Sequence, residues 1–286
     1  LVLAALLLAL GTLAWSVLLD RALTARTDSG TQARVSRSPL ERLPATPVWA
    51  VAGRSLRYWR RDPRYVVAVS GILVGGIVPI VAVTSQARTS GLLLAAGPFV
   101  GMLIGIIVAN DIGFDGSAFA AHLLAGVPGR VDRLGRALAV LCWGAPLLVA
   151  LSIAGAAFGG RPDLWAGCVG AALGGLLAGL GAASVSGAVV PYPVPEAGSN
   201  PFRSSTGGSA RAALAQLAVM GVTGGAAFPG IALLVLAAVS WPPAAWIGLV
   251  VGPGIGCGVL AAGVVIGGGA IEARGPEILA AVRKPL

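Results

Sequence analysis

Long apolar runs dominate this chain, and short polar stretches separate them. A helix of about 20 apolar residues crosses the hydrocarbon core of a bilayer. Seven runs approach or exceed that length: 1–19, 65–84, 91–109, 137–158, 164–186, 212–239 and 244–270. The pattern therefore predicts an all-α fold, a polytopic membrane helical bundle of about seven transmembrane helices, with no strand of useful length.

Two of these runs have features beyond simple length. Run 164–186 is rich in Ala and Gly, which contribute little to membrane insertion, so we expect it to depend on packing against neighbouring helices. Run 212–239 is longer than a span needs and contains Pro229. Proline removes a helical hydrogen bond, so the sequence predicts a kink or a break at this position.

The basic residues fall almost entirely on one side of the predicted membrane. Eighteen Arg and Lys residues lie in the loop set 21–64, 110–136, 187–211 and 271–286. The alternate set, 85–90, 159–163 and 240–243, holds only Arg88 and Arg161. Loops rich in Arg and Lys stay on the cytoplasmic side, so the first set, including the loop 110–136 and the C-terminus, is predicted to be cytoplasmic.

Composition supports this interpretation and narrows the chemistry. Hydrophobic residues make up 56% of the chain and charged residues only 11%, too few to cover a soluble protein of this length. The net charge of +9 follows from topology, so no nucleic-acid partner is expected. Cys142, Cys168 and Cys257 lie in apolar runs without metal-ligand spacing, and His122 is the only histidine. We expect no metal site.

The polar stretches suggest how the chain is organised. Run 1–19 lacks a basic start and ends in Asp20-Arg21, which indicates a transmembrane helix from a longer parent chain rather than a signal peptide. Residues 20–47 are polar and contain three prolines, as expected of a cytoplasmic linker. Residues 191–210 are rich in Pro, Gly and Ser and are predicted to be irregular, and residues 271–286 are predicted to form a cytoplasmic tail.

The segment 48–64 predicts a basic amphipathic helix. One face carries Trp49, Ala52, Leu56 and Trp59, and another carries Arg54, Arg57, Arg61 and Arg64. Such a helix typically lies flat in the membrane interface, where it contacts membrane lipids, and Asp62-Pro63 should end it. The alternative is a flank of the next span whose arginines reach back to the interface.

The loop 110–136 predicts a short second amphipathic helix. Asp115 can cap a helix that begins near Gly116, and Gly126 with Pro128 can close it. Phe119 and Leu123 share one face, with Leu124 beside them, so this helix should dock onto a partner protein or the membrane surface. The equal alternative is a purely structural loop helix, because short amphipathic connectors are common. Metal or acid–base chemistry at Asp111, Asp115 and His122 is the alternative to their being caps and solvated polar groups, which we expect instead.

In this order, these features resemble one half of an ABC-2-type permease. The matching motifs are Leu56 to Tyr65 (LRYWRRDPRY), Asn110 to Gly116 (NDIGFDG) and the apolar helix that follows, and the resemblance covers about 48–274. It implies that 48–64 is the family's elbow helix and that the loop forms a coupling helix in a groove of an ABC ATPase subunit. The ATPase-docking residues would be Phe114, Asp115, Gly116, Phe119, Leu123 and Leu124.

The large fused permeases of that family contain two six-helix halves in one chain. The resemblance implies that 1–19 is the last helix of a preceding half, that 20–47 joins the halves and that 65–270 is a six-helix permease domain. A missing upstream part or a second copy would supply the other half. The family often has a re-entrant element before its last span, but the short loop around Pro242 leaves little room for one.

The sequence also limits where ATP could be hydrolysed. A phosphate-binding loop needs G-x-x-x-x-G-K-[ST], and the only Lys is Lys284, followed by Pro285. We therefore predict no catalytic residue and no bound cofactor in this chain, with ATP and Mg²⁺ on the partner ATPase. The resemblance implies an exporter permease in the bacterial plasma membrane, with the substrate pathway between two halves along 91–109 and 212–239.

Two other functions remain open from the sequence. An ion-coupled secondary carrier could place its site at a break near Pro229, although such carriers usually keep ionisable side chains at mid-membrane depth and these spans have none there. A non-transporting membrane scaffold, or an enzyme that acts on lipid through Asp111 and His122, is the third possibility.

Overall fold

The computed structural model of the chain describes residues 44–87, 90–194 and 209–283. Within these ranges the regular structure is entirely helical. The α-helices are α1 (Pro47–Arg61), α2 (Pro63–Ala87), α3 (Ala96–Ile106), α4 (Asp111–Asp115), α5 (Phe119–Leu124), α6 (Gly129–Phe158), α7 (Trp165–Val189), α8 (Ser209–Val239) and α9 (Ala244–Val282). Short 3-10 helices occupy Ser90–Ala95, Gly116–Ala118 and Pro162–Leu164.

The predicted all-α class is confirmed. The described ranges contain fewer membrane-length helices than the seven that the sequence predicts. Five stretches are long and apolar enough to cross a membrane: Pro63–Ala82, Gly129–Phe158, Pro162–Val189, Ala210–Val239 and Ala244–Val282. A sixth arises if Gly91–Ile106 and Asp111–Leu124, which meet at a bend of 56°, count as one span. The predicted run 1–19 and most of the linker 20–47 lie outside the described residues.

Helix α7 is at the centre of the bundle because glycine lets its neighbours approach closely. Within its most apolar stretch 83% of the residues are buried, against 28% for α8 and 12% for α2. A methyl group added at Gly170 would overlap the carbonyl oxygen of Gly248 in α9, and one at Gly263 would overlap that of Gly181. The predicted dependence of this Ala/Gly-rich run on its neighbours agrees with such packing.

Helices α2 and α8 pack on this centre less extensively. Val67 in α2 is 70% exposed, and Leu214 and Phe228 in α8 are 67% and 66% exposed. Helix α8 runs without interruption from Ser209 to Val239 and includes Pro229. Of the two alternatives predicted at Pro229, a kink or a break, the break is therefore wrong, because the helix continues on both sides of the proline.

The two ends of the bundle differ in composition. At one end the turns after α6 and α8 lie together, since Arg161 Nη1 donates a hydrogen bond of 3.0 Å to the Ala238 carbonyl oxygen. Trp165 and Trp246 pack edge to face there, with ring centroids 5.5 Å apart. The opposite end contains α1, α4, α5 and the C-terminal turns of α9, and it is where the charged residues meet.

The last helix is longer than the sequence predicts. Helix α9 continues past residue 270 to Val282, with a kink at Arg274, whose φ of −133° and ψ of 23° are not helical. Ile271, Ile278 and Val282 are buried, and we name these three residues the apolar cover. Most of the predicted C-terminal tail is therefore helix packed against the protein, because its apolar side chains have a surface to cover.

Helix α1 has the boundaries that its sequence predicts. The Thr46 hydroxyl accepts a hydrogen bond of 3.4 Å from the Trp49 amide, and Asp62 ends the helix before Pro63 begins α2. Val51, Ala52 and Ser55 form its buried side. Val51 packs against Gly135 of α6, where an added Cβ would lie 2.6 Å from that of Val51. Helix α1 is thus fixed to α6 along one face.

Candidate functional site

The residues between α3 and α6 form a folded segment that carries most of the predicted site. We name residues 107–128 the loop segment. Gly116 and Gly126 have φ values of 54° and 60°, which glycine adopts without strain, so the chain can turn sharply at both ends of the short helical stretch. The predicted closure at Gly126 is confirmed, but the stretch is a 3-10 turn followed by the short helix α5 rather than one helix from Gly116.

Asp132, in the first turn of α6, is the most extensively paired side chain of the site. Its Oδ2 accepts hydrogen bonds from Arg133 Nη2 at 2.5 Å and from Arg136 Nε at 3.0 Å. His122 Nδ1, from the loop segment, lies 2.9 Å from Asp132 Oδ1. Asp132 is 1% exposed, so its charge is compensated by these neighbours rather than by water.

The two arginines of α6 also reach the loop segment. Arg133 Nη1 lies 2.9 Å from Asp111 Oδ1, and Arg136 contacts both Asp111, at 3.5 Å, and Asp115. Arg54 Nη2 of α1 approaches the same Asp115 oxygen at 3.2 Å. The ion cluster, as we name it, therefore joins three parts of the chain and consists of Arg54, Asp111, Asp115, His122, Asp132, Arg133 and Arg136.

The ion cluster is balanced in charge and enclosed by protein. Three carboxylates face three guanidinium groups, and the side chains of Asp111, Asp115, Asp132, Arg133 and Arg136 are each at most 5% exposed. Charges buried in this way are costly unless every member keeps its partner. Carboxylates engaged by arginine in this way are poorly placed to accept a substrate proton or to bind a metal ion. In the described ranges no group of three His, Cys, Asp or Glu side chains is arranged so that it could hold a metal ion.

Trp59, Tyr65 and Phe114 pack together beside the ion cluster on the α1–α2 side, and we name these three residues the aromatic group. Arg64 donates to Asp62 Oδ2 at 2.6 Å and to the Phe114 carbonyl at 3.2 Å, and its guanidinium lies 5.2 Å from the centroid of the Phe114 ring. Burial raises the pKa of Asp62, but the hydrogen bonds from Arg64 outweigh burial and lower the pKa below its usual value. Tyr65 packs on Phe114 and on Trp59, with centroids 4.9 and 4.5 Å apart.

The apolar face of the loop segment is covered by the chain itself. Phe119 and Ile112 are fully buried against Ala188 and the apolar cover of α9. Leu123 packs beside them, close to Gly275. The expectation that Phe119 and Leu123 present an apolar face to a partner is therefore wrong, because α9 already occupies that face. Leu124 is 89% exposed.

Further hydrogen bonds fix the loop segment at its edges. Asn110 Nδ2 donates to the Tyr192 carbonyl at 2.9 Å, and the Tyr192 amide donates back to Asn110 Oδ1 at 3.1 Å. Glu272 Oε1 of α9 accepts a hydrogen bond of 3.0 Å from the Gly129 amide, which satisfies one free donor at the start of α6. The start of the segment is thus fixed to the residues after α7, and α6, which follows its end, is fixed to α9.

The polar residues of the loop segment were the least well predicted. Asp111 and His122 are 3% and 9% exposed, so the expectation of solvated groups is wrong. Asp115 makes no capping hydrogen bond and pairs with Arg54 and Arg136 instead. A signal was present in the sequence, since Asp111 and Asp115 are four residues apart, as are Asp132 and Arg136, and such spacing places each pair on one helix face.

The predicted interface residues of α1 divide into two groups. Arg54 and Arg64 face inward to the ion cluster and to Asp62, rather than outward as expected. Arg57 and Arg61 are exposed, Trp49 is half-buried, and Trp59 belongs to the aromatic group.

Comparison of the chain with known protein families, with curated proteins and with solved structures gives no match.

Proposed function

We propose that this chain is a multi-pass membrane protein and forms the permease part of an ATP-driven ABC-2-type exporter. A separate ATPase would hydrolyse ATP, since the chain lacks the residues of a phosphate-binding loop. The five or six membrane-length helices and the order of elements around the loop segment support this proposal.

The attachment of the loop segment is the observation on which the proposal mainly rests. Ion pairs join the segment to α1 and α6, and apolar contacts join it to α9. Because these contacts are buried and mutually dependent, a push on the exposed part of the segment would move the three helices together. This is the mechanical property that an ATP-driven permease needs.

The exposed part of the loop segment is its docking surface in this proposal. Ala121, Leu124 and Ala125 are exposed, whereas Phe119 is buried in the protein. The ATPase would therefore contact Leu124 and its neighbours, and Phe119 would transmit the motion to α9. The end that contains the ion cluster would face the cytoplasm, and a cargo with apolar groups would pass between this half and its partner half along α3 and α8.

Site-directed crosslinking in membranes tests the docking surface. In the chain with Cys142, Cys168 and Cys257 replaced by alanine, we would compare Leu124→Cys with Ser240→Cys. Both positions are exposed, but they lie at opposite ends of the bundle. We expect a benzophenone maleimide attached to Leu124→Cys, and not to Ser240→Cys, to photocrosslink to a copurifying ATPase by insertion into its C–H bonds, more efficiently when the ATPase is trapped with nucleotide.

Transport measurements in the same membranes separate the alternatives. ATP-dependent export that stops in an ATPase-deficient background agrees with the proposal. Transport that survives ATP depletion and collapses with the ion gradient would instead identify a secondary carrier. If no ATPase is crosslinked from any exposed position of the loop segment, the permease assignment is wrong.

A further inference from the structure

We infer that the outer face of α1 binds the headgroups of anionic phospholipids through Arg57, Arg60 and Arg61. This inference depends on the membrane location proposed above but not on an ATPase or on transport. It concerns an interaction surface that is separate from the ion cluster, although the same helix carries both.

The structure divides the five arginines between residues 54 and 64 into two groups. Arg54 pairs with Asp115, and Arg64 pairs with Asp62. Arg57, Arg60 and Arg61 are exposed and have no carboxylate within ion-pair distance among the described residues. Three positive charges at the end of one helix are therefore left for a ligand outside the protein.

The position of these arginines relative to the apolar surface indicates the class of ligand. Helix α2 begins at Pro63, and its first outward apolar residues, Val66 and Val67, are 48% and 70% exposed. These valines require hydrocarbon around them in a membrane, and Arg60 and Arg61 precede Val66 by only six and five residues. The arginines thus lie where the hydrocarbon ends and the phosphate groups begin.

The helix is held so that this face points outward. Val51, Ala52 and Ser55 bury the opposite side against α6, and the Arg54 guanidinium lies 5.4 Å from the centroid of the Tyr58 ring while it pairs with Asp115. Asp62, the carboxylate nearest to the face in sequence, is engaged by Arg64 and cannot neutralise the neighbouring arginines. A fixed row of guanidinium groups suits phosphate oxygens, which accept paired hydrogen bonds from arginine.

The charge of the face favours lipids with a net negative headgroup. A zwitterionic headgroup also contains phosphate, but its amine cancels the attraction to a cluster of arginines. Each basic residue near an anionic membrane surface strengthens binding by a factor of about five. Three arginines together would therefore favour phosphatidylglycerol over phosphatidylcholine by a factor of the order of one hundred.

Native mass spectrometry of the full chain in mild detergent tests this inference. We would titrate phosphatidylglycerol or phosphatidylcholine and compare the native chain with Arg57→Gln/Arg60→Gln/Arg61→Gln. A matched control, Arg211→Gln/Arg274→Gln/Arg283→Gln, removes the same charge from other exposed arginines. We expect the first variant to lose about a hundredfold in phosphatidylglycerol affinity and the control to change less than threefold. Soluble glycerol phosphate should not displace the lipid from the native chain.

Several outcomes would overturn the inference. Equal losses in the two triple variants would mean that only total charge matters, and equal affinity for the two lipids would remove the proposed selectivity. If the variant keeps its lipid but loses an acidic polypeptide that copurifies with the native chain, the face binds a protein. If the triple variant fails to fold, the three single Gln variants replace it, and each is expected to lose about fivefold in phosphatidylglycerol affinity. Three single variants with unchanged affinity would overturn the inference. None of these readouts involves the ATPase, so the permease proposal stands or falls separately.

Discussion

The α7–α9 interface and the ion cluster are both buried, but they hold the bundle together in different ways. Between α7 and α9, glycines bring the two backbones into direct contact, as at Gly181 and Gly263. In the ion cluster, long charged side chains join separate elements, as Arg136 of α6 does when it contacts Asp111 and Asp115 of the loop segment. The α7–α9 interface depends on glycines that have no side chain, and the ion cluster depends on charged side chains that pair with one another.

This difference indicates which parts of the molecule are able to move. A backbone contact between helices has no alternative arrangement at similar energy, because any shift produces either overlap or a void. A network of charges with several partners can exchange one pairing for another while it stays neutral. We therefore expect α7 and the part of α9 that it contacts to behave as a rigid frame, and the loop segment, together with α1, α6 and the turns of α9 beyond Arg274, to move against this frame.

The largest expected effect comes from removing the central charge of the ion cluster. Asp132→Asn leaves Arg133 and Arg136 buried beside a neutral side chain, and breaking a buried ion pair in this way costs about 3–5 kcal/mol. Thermal unfolding of the purified chain in detergent measures the loss.

Asp163→Asn is the matched control for this change. Asp163 also pairs with an arginine, Arg161, but the two side chains are 52% and 37% exposed, so solvent screens the pair and this substitution should leave stability nearly unchanged. Similar losses in the two variants would show that the ion cluster is solvated and would contradict its description as an enclosed network.

A smaller effect is expected from adding one methyl group to the α7–α9 interface. In Gly263→Ala the new Cβ would lie 2.6 Å from the Gly181 carbonyl carbon, so the helices must separate, at a cost of about 1–3 kcal/mol. Gly258→Ala, on the same helix, meets nothing within 4 Å and should change stability by less than about 1 kcal/mol. The unfolding midpoints of the two variants give the comparison directly, and equal midpoints would rule out close backbone contact.

The smallest effect is expected at the edge of the ion cluster. Arg54→Gln removes one of the two guanidinium groups on Asp115, while Arg136 remains, and the Arg54 side chain is 23% exposed. We expect a loss of about 1 kcal/mol, against less than about 0.5 kcal/mol for the exposed Arg57→Gln. A double-mutant cycle with Asp115→Asn measures the coupling, which should vanish if α1 is held only by Val51 and Ala52.

The sequence predicted those features that depend on residues adjacent to one another along the chain. The end of α1 at Asp62-Pro63 and the turn at Gly126 follow from local backbone preferences, and both occur where expected. The long apolar helices follow from composition alone. Pro229 is less well defined by its neighbours, because a proline permits either a kink or a break, and the helix continues from Ser209 to Val239 without a break.

The ion cluster and the cover over Phe119 could not be predicted in the same way. The pairing of Arg54 with Asp115 joins residues that are 61 positions apart, and only the folded bundle brings them together. The apolar face of Phe119 was visible in the sequence, but Ile278, which covers it, belongs to a helix that begins more than 100 residues later. A pattern shows that a face is apolar, and it does not show which element buries it.

We expect the kink at Arg274 to give the two parts of α9 different rates of amide hydrogen exchange. Arg274 leaves the helical conformation, and Pro276, two residues later, has no amide to donate, so the final turns are only weakly continuous with the rest of the helix. Their amides can exchange through a local opening that lifts the cover from Phe119, whereas amides beside Gly263 exchange only when the whole bundle unfolds. We therefore expect amides before Arg274 to exchange slowly and amides after it to exchange fast, so that the change in rate falls where α9 meets the loop segment.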